Sequence, residues 1–355
     1  TPVRRGMTFA AALLVLVVIA VLVNVLIAST ERRALRQQVQ AGNHSTVGLI
    51  ARALDDDLGR IRGDVLTLAQ TLIAEQALEA GDPATQARAV RLLRALADTR
   101  GDYAQLRFIG ADGREIVRVD SHDGVIETVP PERLQDKSLR PYVQDIGRLQ
   151  AGQVYISRLD LNIEHGQVVK PYEPTLRIGT PVFSGDGKRL GMVVINVDGR
   201  RLLERFASDA RGGHGGVWLA DADGNWLHGP DPARDWLFAL PGQPRAGLGT
   251  DFPGVWSIVQ GQRQGQVRGA FGLLTFDQLV PDADDRVQAD SAAGLRIVAL
   301  APDPVLASIL FDRAHMIGYA LTWPALLLLA FWLSYLRVRL RGVEAEVAAN
   351  SRLLK

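Results

Sequence analysis

FIGADGREI (108–116) and WLADADGNWL (218–227) share one design: apolar and polar residues alternate, an Asp-Gly pair breaks the run, and the alternation resumes. Alternation at period two marks a strand with one buried face, and Asp-Gly is a turn pair that joins two such strands into a hairpin. Each hairpin opens a segment that closes in the same way. The first ends in the strand GMVVINV (191–197) and the helix GRRLLERF (199–206); the second ends in the strand LRIVALA (295–301) and the helix DPVLASILF (303–311). This shared order predicts an internal duplication, with Gly212, Gly213, Gly215 and Gly216 at the joint. Upstream, residues 29–97 carry apolar residues at three-to-four spacing with charges between them. Gly81-Asp82-Pro83 interrupts the pattern, which predicts a long helix followed by a shorter one through Arg88–Ala97. The fold class is α+β: a long helix and two tandem modules with antiparallel sheets.

Both ends of the chain are apolar. Residues 7–28 carry no charge, and Thr8 and Asn24 are their only polar side chains. Crossing ~30 Å of hydrocarbon takes about 20 such residues, so the run predicts a membrane helix. Arg4 and Arg5 also suit the basic start of a signal peptide, but the apolar core of a signal peptide is only about 7–15 residues long. Residues 316–336 form a second uncharged run, with Tyr319 and Trp323 toward one end and Trp332 and Tyr335 toward the other, as in a spanning helix with interfacial aromatics; Pro324 is expected to kink it. Arg4 and Arg5 before the first run, and Arg337, Arg339 and Arg341 after the second, favour a cytoplasmic location for both ends; Arg32, Arg33 and Arg36 weaken the bias. Leu333, Leu336, Leu340, Val343, Val347 and Leu354 then recur at alternating three and four, with Asn350 in the remaining slot. That heptad pattern predicts a signalling helix that pairs with a second copy, and the helical pattern running to Lys355 leads to the expectation of an output domain beyond it.

The organisation expected is therefore a cytoplasmic N-terminus (1–6), a transmembrane helix (7–28), an extracytoplasmic helical stalk (29–102), a distal module (103–210), a proximal module (211–313), a second transmembrane helix (316–336) and a cytoplasmic helix (337–355). The two membrane helices thus flank the long helix and both modules, placing the protein in the cell membrane as a multi-pass chain.

Composition removes whole classes of chemistry. The 355 residues contain no cysteine, which excludes disulfides, zinc–thiolate sites and thiol catalysis, and a net charge of +1 gives no reason to expect nucleic acid. No nucleophile elbow, phosphate-cradling loop or metalloprotease motif is present. His44, His122, His165, His214, His228 and His315 are scattered without metal-ligand spacing, and Asp55-Asp56-Asp57 reads as a solvated helix face. No catalytic residue, metal site or cofactor is expected. Trp218, Trp226, Trp236 and Trp256 sit in or near short strands, where aromatics are more often core than pocket.

YAQLRFIGADGREIVRVD (103–120), LQDKSLRPY (134–142), GQVYISRLDLNIEHGQVVKPYEPTLRIGTPVF (152–183) and GMVVINV (191–197) together resemble the double Cache family, the extracytoplasmic double PAS-like sensors of membrane histidine kinases and diguanylate cyclases. The resemblance covers residues 103–206 closely and 215–311 by element order. It implies a sensor that dimerises and passes an extracytoplasmic signal to a histidine kinase, with a diguanylate cyclase or chemoreceptor output as the alternative. A membrane-anchored exported domain without signalling is the alternative of another class. The resemblance also implies a small-molecule pocket in the distal module, at Arg118, Asp120, Arg140, Tyr142, Tyr155, Ser157 and Asp160. Arg118 and Arg140 suit a bidentate grip on an anionic group, the tyrosines suit walls with polar tips, and Asp160 suits an amine. These polar residues equally suit local pinning of loops, and a periplasmic binding protein is the alternative partner.

Overall fold

The three-to-four pattern folds as helix α1 (Pro2–Ala74), followed by α2 (Pro83–Thr99). The structure, a computed structural model, describes residues 2–74, 82–164, 167–212, 216–280, 286–290, 293–302 and 314–353. α2 begins earlier than its apolar pattern suggests because Asp82 caps it. The Ala84 and Thr85 amides donate to its carboxylate at 3.3 and 3.0 Å, and Pro83 is preset for the first turn.

Residues Gly42–Ala301 form one compact unit. Its first half contains β1 (Tyr103–Gly110), β2 (Glu115–His122), β3 (Val125–Thr128), α3 (Pro141–Arg148), β4 (Val154–Ile156), β5 (Asp160–Leu161), β6 (Ile163–Glu164), β7 (Gln167–Val168), β8 (Pro174–Phe183), β9 (Arg189–Asp198) and α4 (Gly199–Asp209). Its second half contains β10 (Gly216–Asp221), β11 (Trp226–His228), α5 (Leu248–Asp251), α6 (Pro253–Val259), β12 (Gln264–Gly269), β13 (Gly272–Leu279), β14 (Val287–Ala289) and β15 (Leu295–Ala301). Both Asp-Gly hairpins form, as β1–β2 and β10–β11. The expected helix over 303–311 lies outside the described residues, as do Gly213 and Gly215.

The two halves repeat one topology. The first sheet runs β14-β4-β8-β9-β1-β2-β3, with β5 also on β8; the second runs β11-β10-β15-β13-β12. Without the short edge strands, each half orders its own five strands 2-1-5-4-3. The halves are not separable at residue 210, however. β14 belongs to the second half in sequence but pairs in parallel with β4 of the first.

One apolar cluster runs through both halves. α1 contributes Val47, Ile50, Leu54, Leu58, Ile61, Val65, Leu68 and Leu72, and α2 adds Ala89, Leu93 and Ala97. These pack on one face of the first sheet, through Leu106, Phe108, Val117, Val119, Ile178, Val193 and Ile195, and the cluster continues into Val217, Leu219 and Ile297 of the second. A polar clasp pins α1 to the start of the first sheet. Asp64 receives the Arg100 guanidinium at 2.8 Å and the Tyr103 hydroxyl at 2.5 Å, while Arg60 reaches Asp102 at 2.7 Å. Burial and the bond to Asp64 push the Tyr103 hydroxyl above its ordinary range. Asp57 joins the clasp through Arg205 of α4 at 3.2 Å. Of the expected solvated run, Asp55 and Asp56 are exposed and Asp57 is half-buried.

In the second half Trp226 and Trp236 are buried and Trp218 and Trp256 pack against a second cluster, so the tryptophans are core. The Trp226 indole donates to Asp251 at 2.9 Å, and Arg234 grips the same carboxylate at 2.7 and 3.0 Å. Burial alone would raise the Asp251 carboxyl, but these bonds hold it below its usual range. Asp251→Ala strands the buried indole N–H and should lower stability by about 1–3 kcal/mol, read by thermal unfolding at neutral pH. A depressed folded pKa stabilises above the ordinary carboxylate range and is lost on acidification through the folded value. The gap between wild type and Asp251→Ala should therefore narrow at low pH.

Residues through Ala41, together with those from Pro302 onward, form a second unit. It contains helix α7 (Ala314–Leu353), with Pro324 inside it. Among the described residues one stretch is long and apolar enough to cross a membrane, Thr322–Val347, set later than the expected 316–336. Within the first apolar run, Val18–Ile27 forms a shorter exposed apolar stretch of α1.

Candidate functional site

Alternation sends half of the first sheet's side chains into the α1–α2 core and the other half to the opposite face, under α3. There Tyr142, Val143, Ile146 and Leu149 pack on Ile109, Tyr155, Met192 and Val194. Gly179 permits the approach: a Cβ there would lie 2.5 Å from Ile146 Cδ1.

Strand register lays two rows across this face. In one, Asp120 stands beside Gln105, Gln105 beside Asn196, and Asn196 beside Arg177. In the other, Arg118 stands beside Arg107, Arg107 beside Val194, Val194 beside Gly179, and Gly179 beside Tyr155. Arg107 and Arg118 oppose each other across a strand pair, an arrangement of like charges that is destabilising unless each is neutralised. Each is: Arg107 lies 3.1 Å from Glu115, and Arg118 lies 2.7 Å from Asp120. Arg177 completes the set, 2.6 Å from Asp160. Its guanidinium lies 5.7 Å from the centre of the Tyr142 ring, and the Tyr142 hydroxyl is 3.4 Å from Arg107. Gln105 accepts from both Arg107 and Asn196, the latter at 2.9 Å. Asn196 is 2 % exposed, and its Oδ1 is buried without a hydrogen-bond donor among the described residues. A small crevice at this end is lined by Gln105, Asn196, Asn162, Glu173 and Thr175. It adjoins a cleft of about 160 Å³ between the α2 end, the β2–β3 turn and the start of α4.

The sequence-derived residues divide. Asp120, Tyr142, Tyr155 and Asp160 lie on or beside this face, and burial pushes the Tyr155 hydroxyl above its ordinary range. Arg118 is on it too, engaged with Asp120. The Ser157 hydroxyl accepts the Arg177 amide at 2.9 Å and donates to the Arg158 carbonyl at 2.7 Å, which pins β4 and β8 together. Arg140 is not on the helix but at the N-cap of α3, half-buried, holding the first turn through its carbonyl. Arg107, Arg177, Gln105 and Asn196 share the face and are not among the sequence-derived residues. Gln105 and Arg107 interrupt the strand YAQLRFIG, Arg177 is the one charge in PTLRIGTPVF, and Asn196 is the one polar side chain in GMVVINV; those interruptions were the available signal. Among the described residues no cluster of His, Asp or Glu could hold a metal ion.

Residues 60–289 match the family described as bacterial histidine kinase, sensor domain. The chain belongs to that family. It is a sensor input module of a membrane receptor. Solved structures with the same fold include a sensory box/GGDEF family protein domain from Vibrio parahaemolyticus (TM-score 0.63, 19% identity, 77% of this chain and 99% of that one). The extracellular domain of the histidine kinase vpHK1S-Z8 is similar at TM-score 0.65 and 19% identity, over 79% of this chain and 97% of that one. That of rpHK1S-Z16 is similar at 0.50 and 16%, over 76% and 98%. No curated protein matches the sequence.

Proposed function

We propose that the α3 face of the first sheet is the sensory site and that it binds a small polar molecule. The observation that carries this reading is the Asp120–Gln105–Asn196–Arg177 row, buried but for the half-buried Asp120, with an acceptor at Asn196 Oδ1 that no donor among the described residues fills. Buried polar atoms are normally paired, so this one suits a donor group of a ligand. The three guanidiniums on the face already hold carboxylates. A plain anion would have to displace one of them, whereas a ligand offering both donors and acceptors would extend the existing pairs.

Signal transfer follows from population shift: a ligand that prefers one of two shapes of this unit biases the output by its differential affinity. Two membrane helices, 7–28 and 316–336, would bracket the sensor, which would be extracytoplasmic with both ends in the cytoplasm. Supporting this, Gly318 of α7 faces Asn24 of α1 so closely that a Cβ would lie 2.8 Å from Asn24 Oδ1; small residues at such contacts let membrane helices approach. Leu340, Val343 and Val347 are exposed in the single chain and would pair with a second copy in a homodimer that drives a histidine kinase.

The test is a thermal-shift screen of the full chain in detergent against small metabolites, with Asn196→Leu, Arg177→Met and Arg140→Ala as comparisons. A ligand at 100 times its Kd should stabilise by about 2.7 kcal/mol. The shift should vanish in Asn196→Leu and Arg177→Met and survive in Arg140→Ala. Hits indifferent to the first two variants would place the site elsewhere, and the absence of any hit would favour a periplasmic binding protein as the partner.

A further inference from the structure

β13 and β15 are antiparallel neighbours, with Leu279 opposite Leu295, so a hairpin of about two to five residues would close them. The chain instead spends residues 280–294 between them and sends β14 to the edge of the other sheet. There Val287, Gln288 and Ala289 pair in parallel with Val154, Tyr155 and Ile156. Main-chain bonds fix both ends: the Val154 amide donates to the Arg286 carbonyl at 2.8 Å, and the Asp290 amide to the Ile156 carbonyl at 2.9 Å. Val287 is buried in the cluster shared with α1. On the exit side the link is short. The Ala293 amide donates to the Asp290 carbonyl at 2.8 Å, Ala293 is buried, and β15 begins at Leu295. β15 occupies the centre of the second sheet and is the last strand before this unit ends at Ala301. The strand that β14 grips is the one that carries Tyr155 onto the α3 face.

We propose that β14 is a strap coupling the edge of the first sheet's α3 face to the central exit strand of the second, so that a displacement of β4 reaches β15 along the main chain. A two-residue-wide patch of side-chain contacts would let the halves slide. A hydrogen-bonded parallel ladder moves as one piece or breaks, which gives the two discrete arrangements that coupling requires. The purpose assigned to the strap rests on the sensory-site reading. The coupling itself is measured without ligand, so either can fail while the other stands.

The measurement is amide hydrogen exchange of β15 in the full chain in detergent. Tyr155→Ala perturbs the α3 face, and it is compared in the wild-type chain and in Gln288→Pro, where proline cannot serve the ladder. With the strap intact, Tyr155→Ala should speed exchange over Leu295–Ala299 by about tenfold or more; in the Gln288→Pro background it should add nothing. Equal acceleration in both backgrounds would overturn the strap and assign the coupling to α1 or α4. As a second variant independent of Tyr155, Val154→Cys with Val287→Cys places two thiols on register partners about 5 Å apart, within disulfide range, in a chain that has no other cysteine. The oxidised form should slow β15 exchange relative to the reduced form, and an unchanged rate would overturn the proposal.

Discussion

Glu115→Ala should cost about 3–5 kcal/mol of folding stability, because it leaves a guanidinium buried without its counter-charge. The Arg107 side chain is 3 % exposed and the Glu115 side chain fully buried, with 3.1 Å between them. The remaining partners of Arg107, Tyr142 and Gln105, are neutral and supply hydrogen bonds without charge. Glu115 also accepts the Gln135 amide at 3.0 Å, so the substitution loosens the loop leading to α3 as well. The size of the effect measures the broken pair rather than the value of the pair. Replacing both members by apolar residues, Arg107→Met with Glu115→Leu, should recover most of the loss, since exchanging a buried ion pair for packed hydrocarbon is often neutral or stabilising. Urea unfolding of wild type, Arg107→Met, Glu115→Leu and the double variant forms a double-mutant cycle. A single variant within about 1 kcal/mol of wild type would mean that water or a rearranged loop reaches Arg107, contrary to its burial.

The fold was largely legible because its signals are local. Asp-Gly inside alternating runs dictates a hairpin wherever it occurs, and the apolar spacing of α1 dictates a one-sided helix whatever it packs against. The repeated order of elements was legible for the same reason. β14 was not: Val287, Gln288 and Ala289 carry no pattern of their own, and their pairing is set by an edge strand more than 130 positions away in the chain. The site was half legible. Asp120, Tyr142, Tyr155 and Asp160 come from the family resemblance and lie on or beside the α3 face. Arg107, Arg177 and Asn196 sit in largely apolar strands, and which sheet face they take depends on register, which sequence pattern fixes only once the partner strand is known. Arg140 shows a different difficulty. The resemblance puts it on the next helix, whereas Pro141 starts that helix and leaves Arg140 as its cap.

Ile61→Ala should cost about 2–5 kcal/mol, the range for emptying a fully buried aliphatic site. Ile61 has no exposed surface and lies midway along the α1 stripe, between Leu58 and Val65. Two residues earlier on the same helix the opposite result is expected. Gly59 is exposed, and a Cβ there meets nothing within 4 Å, so Gly59→Ala should stabilise by about 0.5–1 kcal/mol through helix propensity alone. The pair separates packing from propensity on one element. The informative readout for Ile61→Ala is twofold: helical ellipticity, and emission from Trp218, Trp226, Trp236 and Trp256, which all belong to the second half, with Trp323 and Trp332 of α7 replaced by phenylalanine. Ile61 belongs to the cluster that takes in strands of both sheets, so the tryptophan transition should move to lower urea together with the helical one. A tryptophan transition that stays in place while the helical one moves would show that α1 serves the first sheet alone. Communication between the two sheets would then not depend on α1.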